Sequence, residues 1–203
     1  MKLFPIVAFL ALSVAGCASA AKQSAAQEST PDTYRVLLDT SRGPVVIEVD
    51  RRLAPNGAQH FYDLVKAKYF DGSRFYRVVP GFVVQWGAAA DAAVTKKWDV
   101  TFPDDPVKGS NTLGTVTFAS TMQPNSRSTH LFINLANNAK LDDMGFAPIG
   151  HVVSGMGNVT NIYSGYRERP DQELIGTQGN AYLEKEFPRL DYIKTARIGG
   201  GSH

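Results

Sequence analysis

Phe75-Tyr76-Arg77-Val78-Val79-Pro80-Gly81-Phe82-Val83-Val84-Gln85 is the stretch around which the chain is organised. β-Branched and aromatic residues dominate on both sides of Pro80-Gly81, so it reads as two strands joined by a tight turn rather than as a helix. Two long polar side chains, Arg77 and Gln85, interrupt otherwise apolar strands. Folding about the Pro-Gly break brings them within about a residue of each other across the strands, with Phe82 nearby. A fixed cationic fork, an amide and an aromatic floor then share one place.

Upstream, Tyr34 to Asp39 and Val45 to Asp50 alternate as strands, with Thr40-Ser41-Arg42-Gly43 as the turn between them. Val45, Ile47 and Val49 share one face; Val46, Glu48 and Asp50 share the other. From Pro55 to Lys68 the period changes. Ala58, Phe61, Leu64 and Val65 recur at helical spacing, Pro55 suits a first turn and Asp71-Gly72 closes the segment. His60 lies off that stripe and is expected at the surface.

Downstream, Ala88 to Val100 reads as a loop that Trp98 tucks back onto the domain. Strands are expected at Leu113 to Ser120, His130 to Leu135, Ile149 to Val153 and Asp191 to Ile198. A second short helix is expected at Gly157 to Tyr163 and another at Asn180 to Phe187, with Arg167 to Gly179 as loop. Asn158-Val159-Thr160 matches a glycosylation sequon, but Val159 is expected to be buried. The periodicity therefore predicts a mostly β chain with two substantial helices.

At 203 residues and 43% hydrophobic content the chain suits one well-buried core. A formal net charge of +2, with no Lys or Arg run beyond two residues, argues against a nucleic-acid surface. Gly-x-Ser-x-Gly, phosphate-loop and His-Glu-x-x-His motifs are absent, and the four His lack metal-ligand spacing. Asp104-Asp105 are adjacent residues in a Pro-flanked loop, which points them apart and argues against paired acid-base work.

The N-terminus carries a leader. Lys2 precedes an apolar run from Leu3 to Val14 that is too short to span a bilayer, and residues 1–16 read as a signal peptide. Val14-Ala15-Gly16-Cys17 resembles a bacterial lipoprotein box, in which Cys17 is acylated after cleavage. The other reading is an ordinary signal peptide cut after Ala18-Ser19-Ala20. As Cys17 is the single cysteine, no intramolecular disulfide can form. Residues 17–32 have the composition of a flexible tether, and residues 199–203 that of a disordered tail. The folded domain is expected over 33–198.

Three ordered blocks resemble the cyclophilin-type peptidyl-prolyl cis-trans isomerases. Their signature of aromatic, Arg, two aliphatics, Pro-Gly-Phe, two residues and Gln stands complete from Phe75 to Gln85. Asn125-Ser126-Arg127-Ser128-Thr129-His130-Leu131-Phe132-Ile133-Asn134 is similar to the second block. Leu141-Asp142 and the run from Gly145 to Met156 are similar to the third. The resemblance implies a closed eight-stranded antiparallel β-barrel capped by two α-helices. It implies Arg77 as the catalytic donor to the prolyl nitrogen and Gln85 as holder of the substrate backbone. Phe82, Phe132 and Leu141 would enclose the proline ring, with Val83, Ala119, Ser120, His130 and Phe146 as further substrate-binding positions. No metal or cofactor is required.

Departures from the family pattern carry their own expectations. Lys140 stands where many members have the Trp that binds cyclosporin, which argues against sensitivity to that drug. Phe146 replaces a His, Ser120 an Asn, His130 a Gln and Val83 a Met. Trp86 follows Gln85, as in a divergent branch. His130 could make activity pH-dependent, or could sit neutral and hydrogen-bonded at the pocket edge. The expected protein is a monomeric isomerase acting on proline-containing clients in the cell envelope, lipid-anchored on the periplasmic face. Ala18 after the acylated Cys would allow outer-membrane sorting if the source is Gram-negative. The rival from another class is a proline-segment-binding module or chaperone on the same fold, without useful turnover.

Overall fold

The computed structural model describes residues 30–199; the leader, Cys17, most of the tether and residues 200–203 of the tail lie outside them. Eight strands are β1 (Thr33–Thr40), β2 (Gly43–Asp50), β3 (Arg77–Val79), β4 (Val83–Trp86), β5 (Thr115–Phe118), β6 (Leu131–Asn134), β7 (Pro148–Ser154) and β8 (Ile193–Gly199). Six helices are α1 (Pro55–Lys66), α2 (Ala92–Trp98), α3 (Lys140–Asp143), α4 (Met156–Thr160), α5 (Gln172–Gln178) and α6 (Asn180–Glu186). Thr30 is buried and donates from Oγ1 to Gln59 Oε1 at 2.6 Å, so the end of the tether segment is held against α1.

All eight strands form one antiparallel sheet in the order β3-β4-β6-β5-β7-β2-β1-β8. It curls without closing. Among the described residues the β3 and β8 ends meet through an isolated bridge between Arg74 and Tyr192, not a ladder. The expected closed barrel is thus corrected to a curled half-barrel with helices. β3 is three residues long, and the Val78 N–H on its outer side donates to the Arg167 carbonyl at 3.2 Å, so a loop occupies the edge a closing strand would need.

Residue parity sorts the two faces of the sheet. Val78, Val84, Ile133 and Val116 are successive cross-strand partners, and all four join the main core. Ala58, Phe61, Leu64 and Val65 of α1 are buried in that core, each stabilised by roughly 1.5–3 kcal/mol for the larger side chains. A second core of Tyr76, Ala88, Ile175, Leu183, Phe187 and Leu190 forms where α5 and α6 pack beneath the hairpin.

Several expectations are corrected by long-range packing. The Ala88 to Val100 loop contains α2, which Asp91 caps by accepting from Ala93 N at 2.8 Å; Trp98 does pack on the core. The Arg167 to Gly179 loop contains α5, capped by Asp171. Gly199 belongs to β8 opposite Arg35, not to a tail. His60 is not a surface residue: its ring lies 4.9 Å from Phe102 and 5.9 Å from Phe118, and its Nε2 is buried without a hydrogen-bond partner. That burial holds its pKa below the ordinary value. The cause is the loop after α2, which folds back over α1.

Candidate active site

The opposite parity builds a cavity. Arg77 pairs with Gln85, Gln85 with Phe132 and Phe132 with Thr117, one straight row across four strands on the face away from the main core. Neighbouring strands lie about 4.8 Å apart, so the register spaces these side chains at the scale of a peptide segment. Arg77, Gln85 and Phe132 of this row line a cavity of about 820 Å³. Its apolar part is a separate cluster of Val83, Phe132, Leu141 and Phe146, with Phe82 and Ala119 packed against it.

Local sequence makes the hairpin rigid. Pro80 and Gly81 occupy the central turn positions, Gly81 has φ +73°, and Phe82 N donates to Val79 O at 2.9 Å. Pro followed by a residue of positive φ is the type II pattern, which glycine alone adopts without strain. The turn leaves Phe82 half-buried beneath Arg77, whose guanidinium lies 5.6 Å from the ring centroid. Arg77 Nη1 donates to Gln85 Oε1 at 3.1 Å, while Nε and Nη2 donate to Glu168 Oε1 at 2.8 and 2.6 Å.

The roof is hung from a buried amide. Asn111 is fully buried and donates from Nδ2 to Asp142 Oδ1 at 2.7 Å and to Phe146 O at 2.8 Å; its backbone N reaches Asp142 Oδ1 at 2.8 Å. Its Oδ1 accepts from Thr117 Oγ1 at 2.9 Å, which ties the roof to the floor row. These bonds hold Leu141 and Phe146 over Phe132, with the Phe132 and Phe146 rings edge to face at 5.8 Å. Hydrogen bonds to Asp142 also hold its carboxyl below the usual range, although desolvation opposes them. Arg127 braces Phe146 from behind: it is buried, pairs with Asp104, donates to Gly145 O and lies 5.6 Å from the Phe146 ring.

A polar chain runs along the other wall. Gln85 Nε2 donates to Tyr76 Oη at 2.9 Å, and Tyr76 Oη lies 2.8 Å from His130 Nδ1. Tyr76 Oη accepts from Gln85 and shares a second hydrogen bond with His130 Nδ1, whose direction is set by the imidazole tautomer; in the tautomer with Nδ1 bare, Tyr76 is the donor. Burial pushes the Tyr76 phenol up and the His130 imidazole down, and both stay neutral at pH 7. Of the two readings weighed for His130, this geometry matches the neutral, hydrogen-bonded one.

Residues 35–177 match the family described as cyclophilin type peptidyl-prolyl cis-trans isomerase/CLD. The chain belongs to that family. It is 36% identical over 138 residues to peptidyl-prolyl cis-trans isomerase A of Dickeya dadantii, covering 66% of this chain and 72% of the relative. It is 31% identical over 169 residues to a probable peptidyl-prolyl cis-trans isomerase of Brucella abortus, covering 78% and 82%. A crystal structure of a Cryptosporidium parvum cyclophilin in the presence of the dipeptide Ala-Pro matches with a TM-score of 0.62 at 20% identity, over 82% of this chain and 99% of that one. That likeness bears on the fold. A cyclophilin from Hirschia baltica also gives 0.62, at 19% identity over 83% and 74%.

In this cyclophilin, Arg77, Phe82, Val83, Gln85 and Ala119 line the same cavity as Ser120, His130, Phe132, Leu141 and Phe146. Ser120 spends its hydroxyl locally, 3.0 Å from Ser126 Oγ and from Met122 N. Lys140 is exposed at the start of α3 and does not line the cavity. Sequence reading missed Tyr76, Asn111, Asp142 and Glu168. Tyr76 was visible as a polar-tipped aromatic beside Arg77; Asn111 and Glu168 carried no local signal.

Proposed function

We propose that this cyclophilin accelerates rotation about X-Pro bonds in polypeptides, with Arg77 as the donor to the prolyl nitrogen. The observation that carries the reading is the cross-strand row of Arg77, Gln85 and Phe132 beside the apolar cluster of Val83, Phe132, Leu141 and Phe146. Peptide-bond rotation costs about 18–20 kcal/mol because the nitrogen lone pair is delocalised into the carbonyl. Localising that pair on nitrogen lowers the barrier, and a guanidinium N–H aimed at the pyramidalising nitrogen does so.

Bringing an event of about 10–100 s to milliseconds requires roughly 5–7 kcal/mol. One charge-assisted hydrogen bond supplies about 1.5–3 kcal/mol. The remainder comes from a preorganised, water-poor site: Phe82, Phe132, Leu141 and Phe146 enclose the ring, and Gln85 presents hydrogen-bonding groups to the flanking backbone. No covalent intermediate forms.

We further propose a lipid anchor at Cys17, a tether up to the domain, and exported or envelope proteins as clients, with the protein monomeric and on the periplasmic face. These rest on the lipoprotein-like leader. Lys140, exposed and outside the cavity, supports the reading that argues against cyclosporin binding. The test is isomerisation of a short X-Pro peptide by the protein and its Arg77→Ala variant. Catalysis by the parent, with a loss of about a hundredfold or more in the variant, is the expected result. Peptide binding without turnover by either protein would instead establish the binding module.

A further inference from the structure

We infer that Glu168 is a positioning residue for Arg77, holding the Nε/Nη2 edge of the guanidinium so that one N–H on each terminal nitrogen stays free for the substrate. The inference rests on the isomerase reading above and adds a residue to it. A guanidinium has five N–H donors. Glu168 Oε1 takes one from Nε and one from Nη2, and Gln85 Oε1 takes one from Nη1. One N–H remains on each terminal nitrogen. With both flanks held and the Phe82 ring stacked beneath, the long Arg77 side chain is confined before any substrate arrives.

The delivery of Glu168 is itself built. Arg167, immediately before it, has φ +51°, a conformation that a bulky residue rarely adopts and that places the next side chain toward β3. Its N donates to Ser164 O at 3.1 Å and its carbonyl accepts from Val78 N at 3.2 Å, one residue along β3 from Arg77. On the other side, Arg169 N donates to Tyr166 O at 3.0 Å, and its guanidinium lies 5.8 and 5.9 Å from the Tyr166 and Phe187 rings. The turn that carries Glu168 is thus tied both to the catalytic hairpin and to the second core.

Stability is a poor explanation for the pair. The Glu168 side chain is 60% exposed, and an ion pair so open to water contributes little to folding. What it does supply is geometry at Arg77, the one Lys or Arg lining the cavity among the described residues.

The test compares the full chain with Glu168→Ala and Glu168→Gln, each also made in an Arg77→Ala background. Two things are measured: kcat and KM on an X-Pro peptide, and hydrogen exchange of the Arg77 Nε–H by NMR. Glu168→Ala is expected to lower kcat about tenfold with KM within about twofold, and to speed Nε–H exchange. Glu168→Gln, which keeps the acceptor oxygen without the charge, should recover most of the rate. In the Arg77→Ala background Glu168→Ala should add nothing. Unchanged kcat in Glu168→Ala, an equal loss in both backgrounds, or Nε–H exchange as fast in the parent as in the variant overturns the role. A parent that does not turn over at all sinks the isomerase reading instead, while the exchange measurement still reports whether the ion pair holds Arg77.

Discussion

Arg77 stands directly opposite Gln85 in the β3–β4 ladder, and the 3.1 Å bond from Nη1 to Oε1 is the first link of a chain that continues through Tyr76 to His130. Gln85 is buried and serves both neighbours, accepting from Arg77 and donating to Tyr76. Gln85→Leu preserves the volume and removes both links. A hydrogen bond to a charged group is worth about 1.5–3 kcal/mol, so kcat/KM for an X-Pro peptide should fall about ten- to hundredfold. The denaturant midpoint should move less by comparison, because Leu keeps the side-chain volume beside its ladder partner Phe132. Kinetics and urea melts on the same preparation check this.

His130 is neutral at pH 7, so any pH dependence it brings to the rate lies on the acid side. Burial holds its folded pKa below the ordinary 6.5, so the neutral form is the one the fold accommodates. As pH falls through the folded value the ring takes up its second proton, both nitrogens become donors, and any acceptor role of Nδ1 toward Tyr76 is lost. The rate is therefore expected to be level from about pH 8 to 6.5 and to decline below, and His130→Gln should remove the decline. Stability moves with the same sign. For His60 and His130 the unfolded chain binds more protons below the ordinary value, so their contribution is complete above pH 6.5 and is lost as pH drops through the depressed folded values. Asp50, Asp71 and Asp142, also depressed, act in a lower window beneath their ordinary 3.8. A rate profile that stays level between about pH 5.5 and 8 in both proteins would remove His130 from the mechanism.

The hairpin was legible because everything it needs is local. Alternation, a Pro-Gly break and two polar interruptions within eleven residues dictate which side chains face each other, and the observed register agrees. Leu141 and Phe146 were legible by resemblance alone, since a Leu or Phe in a loop carries no sign of whether it roofs a cavity or joins a core. Glu168 lies 91 residues from the arginine it holds, and Asn111 lies 31 residues from Asp142. Such partners are set by how the loops fold back over the sheet. The open edge at β3 escaped notice for the same reason: the Arg167 carbonyl that occupies it comes from a segment whose sequence reads as plain loop.

Asn111 is the strongest test of the roof. Asn111→Ala leaves the buried Phe146 carbonyl and Thr117 hydroxyl short of partners and removes one of the bonds to Asp142, at a cost of about 1–3 kcal/mol for a group left unsatisfied. In a chain of this size each kcal/mol lowers Tm by about 2–4 °C, so a fall of roughly 4–8 °C is expected for a loss near the middle of that range. The roof also loosens over Phe132, and KM should rise while kcat falls less. Calorimetry and steady-state kinetics read the two effects separately. An unchanged KM in a folded variant would mean that Leu141 and Phe146 are held without Asn111.

Asp105 gives the converse prediction, a loss of stability without a loss of rate. The residue before α1, Ala54, has no side chain able to cap it, and the Asp105 carboxylate takes that role from 48 or 49 residues away. Its Oδ1 accepts from Asn56 N at 3.0 Å and its Oδ2 from Gly57 N at 2.8 Å, satisfying two otherwise unpaired N–H groups and meeting the positive end of the helix dipole. Removing a cap of this kind costs about 0.5–2 kcal/mol, and Asp105→Ala is expected in the upper half of that range because both oxygens are engaged. Asp105→Asn keeps one acceptor and should lose about half as much. Asp105 does not line the main cavity, and α1 packs on β7 and β8, away from the Arg77 hairpin. Both variants should therefore hold kcat/KM within about twofold at 25 °C while unfolding at lower urea. A drop in rate that tracks the drop in stability would show that the loop carrying Asp105 shapes the cavity wall as well as the helix.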